Sequence, residues 1–181
     1  MPMREFWVFG YGSLMWRPGF PHEAALPARL TGYHRALCVL SHVHRGTPER
    51  PGLVLGLDRG GACRGVAFRV APDRVAPTLA YLRERELVTN VYKEVIRRVH
   101  LLDGSGAQVE AVAYVVDRAH PQYAGRRSED ELLALVRQGK GVSGDNPDYV
   151  TATQEHLVGL GIHDALLARL TARLAEAAPI S

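Results

Sequence analysis

Cysteine is scarce in this chain, with two among 181 residues. That excludes a disulfide framework and any thiolate-rich metal cluster. Cys38 and Cys63 sit among apolar neighbours and lack ligand spacing, so both are expected to be small core hydrophobes in a reducing compartment. Long apolar runs are missing as well. Nothing approaches the roughly 18 consecutive apolar residues that a membrane span requires, and the opening Met-Pro-Met-Arg-Glu-Phe-Trp-Val-Phe-Gly holds no apolar region of secretory length. A cytoplasmic protein with no membrane partner is the expectation. Blocks of like charge are also absent. The net charge is +3, but the basic residues, nearly all arginine, are scattered among acidic ones. Without a basic stripe interleaved with aromatics, no nucleic-acid partner is expected.

What is present is an ordinary globular composition, 46% hydrophobic and 23% charged. At this length roughly 70% of the unfolded chain's surface can be buried, so a single domain over residues 1–181 needs no staple. No internal repeat or low-complexity tract interrupts it. The first half reads as strands. Residues 5–9 form an apolar strand running into Gly10-Tyr11-Gly12-Ser13-Leu14, and a polar stretch punctuated by Pro and Gly covers 17–27. A strand near 36–41 and a loop over 45–52 follow. Residues 53–57 and 64–70 read as a hairpin around Arg59-Gly60-Gly61. A helix then begins between Asp73 and Pro77 and ends near Leu87. Strands near 92–102 and 108–116 are joined by the turn Asp103-Gly104-Ser105-Gly106.

The last third is helical. Ser128-Glu129-Asp130-Glu131 is a capping-box signature opening a helix to about Gln138. Asn146-Pro147 places a cap residue before a proline, with a helix to about Leu160. Asp164 starts a final amphipathic helix with Leu166, Leu167, Leu170 and Leu174 inward. Strands first, helices last and antiparallel connections give an α+β fold built on a strongly curved sheet or small barrel.

Two features carry chemistry. The glycines of Gly10-Tyr11-Gly12 let the chain turn sharply and bring backbone N–H groups near a ligand, which suits a carboxylate or a developing oxyanion. Ser13 adds a hydroxyl and Tyr11 a wall. It is not a P-loop, which needs Gly-Lys-Ser/Thr, nor a dinucleotide fingerprint, since Met15 stands where Gly or Ala is required. A tight turn without a ligand is the alternative. The second feature is Glu86. At about 100° per residue, Leu79, Leu82 and Glu86 fall within roughly 60° of one another, while Glu84 lies opposite, close to Ala80. Glu86 therefore occupies a place where a core leucine is expected. A carboxylate there is costly unless it finds a cation or serves a site, and burial raises its pKa towards what a general base needs. An ion pair with Arg83, Arg85 or a strand arginine is the alternative.

Other candidates are weaker. His42 and His44 share a strand face but have no acidic or thiol partner at ligand spacing, so no metal is expected. Gly-x-Ser-x-Gly does not occur, which removes the nucleophile elbow. Tyr123 and Tyr149 lie in Pro-containing, loop-like segments, where a tyrosine is ordinarily a packing residue with a satisfied hydroxyl.

Trp7-Val8-Phe9-Gly10-Tyr11-Gly12-Ser13-Leu14-Met15-Trp16 resembles the opening signature of the ChaC-like family of glutathione-specific γ-glutamylcyclotransferases. The resemblance continues through His44-Arg45-Gly46-Thr47-Pro48 with Pro51-Gly52, Gly65-Val66-Ala67-Phe68-Arg69, and Tyr81-Leu82 with Arg85-Glu86. It returns at Pro121-Gln122-Tyr123 and at Gly141-Val142-Ser143-Gly144 with Asn146 and Tyr149. The pieces fall in family order over about 150 residues. His120 departs from the pattern, which has Asn before the proline. The resemblance implies a small mixed barrel with flanking helices, a catalytic glutamate at Glu86, and a substrate-binding loop of Val8, Phe9, Gly10, Tyr11, Gly12, Ser13 and Leu14, joined by Tyr123 and Tyr149. It implies glutathione or a related γ-glutamyl compound as the small-molecule partner, with no cofactor and no metal. The oligomeric state is left open.

Overall fold

Runs rich in valine, leucine and aromatics, broken by Gly- and Pro-containing turns, favour strands that pack one pleated face inward. The computed structural model describes residues 5–87 and 89–176; residues 1–4, the start of the segment scanned for a secretory signal, lie outside them. Its elements are β1 (Phe6–Gly10), β2 (Ala24–Ser41), β3 (Gly52–Val70), α1 (Val75–Glu86), β4 (Tyr92–Leu101), β5 (Gln108–Val116), α2 (Glu129–Gln138), β6 (Lys140–Gly141), β7 (Gly144–Asp145), α3 (Asn146–Gly159) and α4 (Ala165–Ala175). Short 3-10 turns cover Ser13–Met15 and Pro72–Arg74. The long strands close into a barrel in the order β1-β3-β2-β4-β5. β1 pairs antiparallel with β3, from Phe6↔Val70 to Gly10↔Val66, and parallel with β5 at Trp7↔Ala111 and Val8↔Val112. β4 pairs antiparallel with β5 from Tyr92↔Val116 to His100↔Gln108, and with β2 around Arg29↔His100. The fold is α+β on a small mixed barrel, as expected.

The described residues group into two compact units. The first is Met1–Ala36 with Gly56–His120; the second is Leu37–Leu55 with Pro121–Ser181. In the first, a cluster of Val8, Leu14, Phe20, Phe68, Val70, Leu82, Val112 and Tyr114 is buried, with Leu79, Leu87 and Tyr92 packed against it. Burying one leucine or phenylalanine side chain stabilises by about 1.5–3 kcal/mol, so this cluster seats α1 on the barrel through Leu82. Past the helix, Asn90 adopts a left-handed conformation (φ 58°), a common way to end a helical turn. Gly65 is required by close approach, because a Cβ there would collide with the Gly10 carbonyl oxygen.

Two strand expectations differ from the structure. Residues 53–57 and 64–70 are not the arms of a hairpin: β3 continues through Gly60 and Gly61, both at positive φ. The glycines bend one long strand instead of reversing it, and His34 of β2 meets the Gly60 carbonyl at 3.0 Å beside them. β2 in turn begins at Ala24, inside the stretch read as polar connection, because backbone pairing to β4 compensates for weak local propensity.

In the second unit, α2 opens with the full capping box: Ser128 accepts from the Glu131 N–H, and the Glu131 carboxylate accepts from the Ser128 N–H. Asp164 caps α4 by accepting from Leu167 N–H at 3.0 Å, and Leu167 and Leu170 are buried while Leu166 and Leu174 are partly so. Asn146 does not cap α3. Asp145 holds the cap position, and Asn146 is the first helical residue, wholly buried. Its side chain accepts from Leu53 N–H and donates to Leu53 C=O, both at 2.8 Å. The amide thus acts as a short strand segment against β3, a partner 93 residues away that local spacing does not reveal. Replacing Asn146 with Ala strips both partners from the buried Leu53 backbone, so unfolding in urea is expected to show a loss of about 2–4 kcal/mol. A loss below about 0.5 kcal/mol would remove the amide from its structural role.

Candidate active site

The glycine-rich loop leaves β1 directly. Gly10 still pairs with Val66 of β3, after which the Gly12 carbonyl accepts from Met15 N–H at 2.9 Å and the Ser13 carbonyl from Arg17 N–H at 2.7 Å. These bonds wind the chain into a 3-10 turn. The side chains of Val8, Phe9 and Leu14 go into the core and Tyr11 is buried, so of residues 8–14 Ser13 alone is exposed. Val8, Phe9 and Leu14 therefore shape the loop, leaving its backbone and the Ser13 hydroxyl for a ligand.

Two arginines brace this loop. Arg35 of β2 donates from Nε to the Tyr11 carbonyl at 2.7 Å and from Nη2 to the Arg64 carbonyl at 2.6 Å. Arg85, near the end of α1, donates from Nη2 to Ser13 Oγ at 2.9 Å and from Nη1 to the Arg17 carbonyl at 2.7 Å and the Tyr81 hydroxyl at 3.0 Å. Neither arginine was singled out as a site residue from the sequence, since their partners lie 24 and 72 residues away. No local pattern signals such pairs.

Glu86 follows Arg85 as the last residue of α1. Its side chain keeps 17% exposure, and Oε1 stands 3.6 Å from Arg85 Nε. Burial pushes the Glu86 carboxyl above the usual carboxylate range, opposed by the Arg85 charge. The helix-phase argument holds: Leu82 is fully buried, Glu84 and Ala80 are exposed, and Glu86 is on the shielded side. The ion-pair alternative is also met, by Arg85, but that guanidinium is itself bound to Ser13. Glu86 is thus one side chain away from the glycine loop.

A second carboxylate lies beyond a tyrosine. Arg83 holds Glu94 of β4 by two bonds, Nε to Oε1 at 3.0 Å and Nη2 to Oε2 at 2.9 Å, and the Tyr114 hydroxyl donates to Glu94 Oε1 at 2.9 Å. The Arg83 hydrogen bonds hold Glu94 below the usual range. Burial, then the bond to Glu94, then the charges of Glu94 and Glu86 push the Tyr114 phenol far up, so it stays neutral. The two carboxylates are driven apart, Glu94 fixed as an anion and Glu86 able to take a proton.

A sequence profile for ChaC-like proteins matches residues 6–177. The chain belongs to the ChaC-like family. Relatives include the glutathione-specific γ-glutamylcyclotransferase of Escherichia coli K12, 34% identical over 158 residues that cover 87% of this chain and 68% of that protein. The human glutathione-specific γ-glutamylcyclotransferase 1 is 33% identical over 149 residues, 81% of this chain and 67% of that one. In structure, a yeast γ-glutamylcyclotransferase specific to glutathione superimposes with a TM-score of 0.84, covering 96% of both chains at 22% identity.

In this ChaC-like chain the remaining sequence candidates belong to the second unit. Tyr123 forms a bridge with Val39 and is partly buried. Tyr149, on α3, accepts from Leu55 N–H at 3.0 Å through its hydroxyl, with the Arg45 guanidinium 5.5 Å from its ring centroid. His44 Nδ1 lies 2.9 Å from Ser143 Oγ. Glu86 and the glycine loop are brought together within the first unit.

The direction of the Glu86 shift has a consequence for stability. Folded Glu86 holds its proton to higher pH than the unfolded chain, whose carboxyl titrates near about 4.3. Its stabilisation is complete below that value and is lost as pH rises through the raised folded pKa. Glu86→Gln keeps the shape without the charge. Its urea midpoint is expected to exceed that of the wild type near pH 8 and to converge with it near pH 4. A variant no more stable than wild type near pH 8 argues against a desolvated carboxylate.

Proposed function

We propose that this chain cleaves glutathione to 5-oxoproline and Cys-Gly by intramolecular aminolysis, with Glu86 as base and then acid. The observation that carries the reading is a water-shielded carboxylate separated from the glycine-rich loop by one guanidinium. The names of the bacterial and human relatives support the substrate.

The free α-amine of the γ-glutamyl group attacks its own side-chain carbonyl carbon, forming a five-membered lactam. The carbon–nitrogen bond to the cysteine breaks, and Cys-Gly leaves. An α-amine has a reference pKa near about 8, so at neutral pH it is mostly ammonium and cannot attack. Glu86 accepts that proton, and its raised affinity lets it hold the proton until the tetrahedral intermediate collapses. It then delivers the proton to the departing nitrogen and takes the second proton from the attacking nitrogen, which Cys-Gly carries away in its own ammonium. Atoms balance without water, metal or cofactor. Ser13 accepts from Arg85 and so keeps its own hydrogen to donate; with the loop backbone it suits an oxygen anion, either the substrate's α-carboxylate or the oxyanion at the γ-carbonyl. Both reacting groups belong to one molecule, so much of the task is to fold the γ-glutamyl chain into the attacking conformer.

The residues 8–14 loop, through its backbone and the Ser13 hydroxyl, is the proposed substrate contact of the first unit, and Tyr123 and Tyr149 are the candidate ligand contacts of the second. The chain acts as one domain in the cytoplasm, a reading supported by two buried cysteines and by β2 and β3, each of which contributes residues to both units.

Purified protein incubated with glutathione is expected to release equal amounts of 5-oxoproline and Cys-Gly. Glu86→Gln should lower turnover by about two orders of magnitude or more with the fold intact, while Glu84→Gln, on the exposed face, should leave it unchanged. Wild-type turnover in the Glu86 variant, or an equal loss in the Glu84 variant, would remove the assignment. Efficient release of 5-oxoproline from γ-glutamyl amino acids, with glutathione untouched, would shift the substrate to that class.

A further inference from the structure

Arg85 touches both halves of the chemistry, bonding Ser13 and facing Glu86, and its part in the proposed reaction so far goes no further than leaving Ser13 its own hydrogen. Its five donors are spread over three tasks. Nη2 reaches Ser13 Oγ, Nη1 reaches the carbonyls of Arg17 and Pro18 (2.7 and 3.4 Å) together with the Tyr81 hydroxyl, and Nε faces Glu86 Oε1. Gly19, at φ 74°, lies so close beneath Tyr81 that a Cβ would strike the hydroxyl, so the segment after the loop is pressed onto the same helix turn. A planar guanidinium can hold such a divergent set of acceptors; an ammonium cannot.

We propose that Arg85 is a positioning residue for this site, strapping the glycine-rich loop to the end of α1 and setting both the placement and the charge of Glu86. The strap fixes Ser13, 72 residues away in sequence, against the helix that carries the base, so the distance between proton acceptor and donor loop does not drift. The cation polarises Ser13, which strengthens the bond its hydroxyl donates onward. It also counters the burial of Glu86, so that a carboxylate drawn out of water is still ionised when the substrate arrives. Among the described residues, the other groups near Glu86 do not supply this. Tyr114 of β5 is a neutral phenol, its proton is committed to Glu94 of β4, and Glu94 is matched by Arg83. The 3-10 turn presents the uncharged Ser13.

The inference rests on the cyclotransferase reading for its kinetic arm but not for its titration arm. With glutamate carboxyls labelled with carbon-13, and Glu86 identified by the signal missing in Glu86→Gln, its titration can be followed without substrate. Arg85→Gln is expected to move the Glu86 midpoint upward by about one pH unit or more, since an opposite charge within about 4–6 Å lowers a carboxyl by that order. The acidic limb of kcat/KM for glutathione should move by the same amount. Arg85→Lys restores the cation but not the fork, so the limb should return to the wild-type position while KM stays raised several-fold. A structural role alone would lower thermal stability without moving either midpoint. Unchanged Glu86 titration in Arg85→Gln overturns the proposal, as does full recovery of KM in Arg85→Lys. Should Arg85→Gln fail to fold, the KM of Arg85→Lys decides alone. If wild-type protein turns over no γ-glutamyl compound, the cyclotransferase reading falls, and the titration still judges Arg85.

Discussion

A carboxylate held out of water at the end of a helix is stable only while its surroundings hold it there. In this chain Leu82, wholly buried in the cluster with Val8, Leu14 and Tyr114, keeps the last turn of α1 against the barrel. Glu86 follows by helical phase: four residues on from Leu82, it has little choice but to enter the same shielded region. Apolar burial and carboxylate desolvation thus act in opposite directions on one helix face. The leucine contribution, about 1.5–3 kcal/mol per side chain, is of the size needed to offset the penalty of a partly paired acid.

The arginines show how an arginine-rich, lysine-poor surface is put to use. Arg83 and Arg85 are two residues apart and serve opposite purposes. Arg83 locks Glu94 as an anion, and through it the hydroxyl hydrogen of Tyr114; Arg85 leaves Glu86 less firmly paired, at 3.6 Å, and spends its other donors on the loop. Burial of Glu86, set against the bidentate pairing of Glu94 with Arg83, is what separates the two carboxylates chemically.

Much of this was legible from residue order, and the reasons for the rest are specific. Helix phase placed Glu86 on the shielded face because α1 is a regular twelve-residue helix whose pattern is local. The capping box at Ser128, the strands β4 and β5 with their glycine turn, and the cap at Asp164 were equally local. Reading failed where a residue's partner is distant. Gly60 and Gly61 look like a reversal in isolation, but neighbouring strands keep β3 running through them. Asn146 looks like a cap, yet its amide completes the pairing of Leu53. Arg35 carries no local signal, and Arg85, offered by residue order as a partner for Glu86, gives no sign of its reach to Ser13, since an arginine's length lets it choose acceptors anywhere in the fold. The loop residues were marked together, but only the structure separates Ser13, exposed, from Val8, Phe9 and Leu14, which are core.

The two cysteines, 3% and 2% exposed, bear on how the chain meets small thiols. Mixed disulfides form when a thiolate sulfur approaches another sulfur in line, and exchange slows sharply when access is denied. Both sulfur atoms of this chain lie inside the packed wall, so exchange with a small thiol is slowed at each of them. A solution rich in such thiols then leaves the protein without a covalent tag.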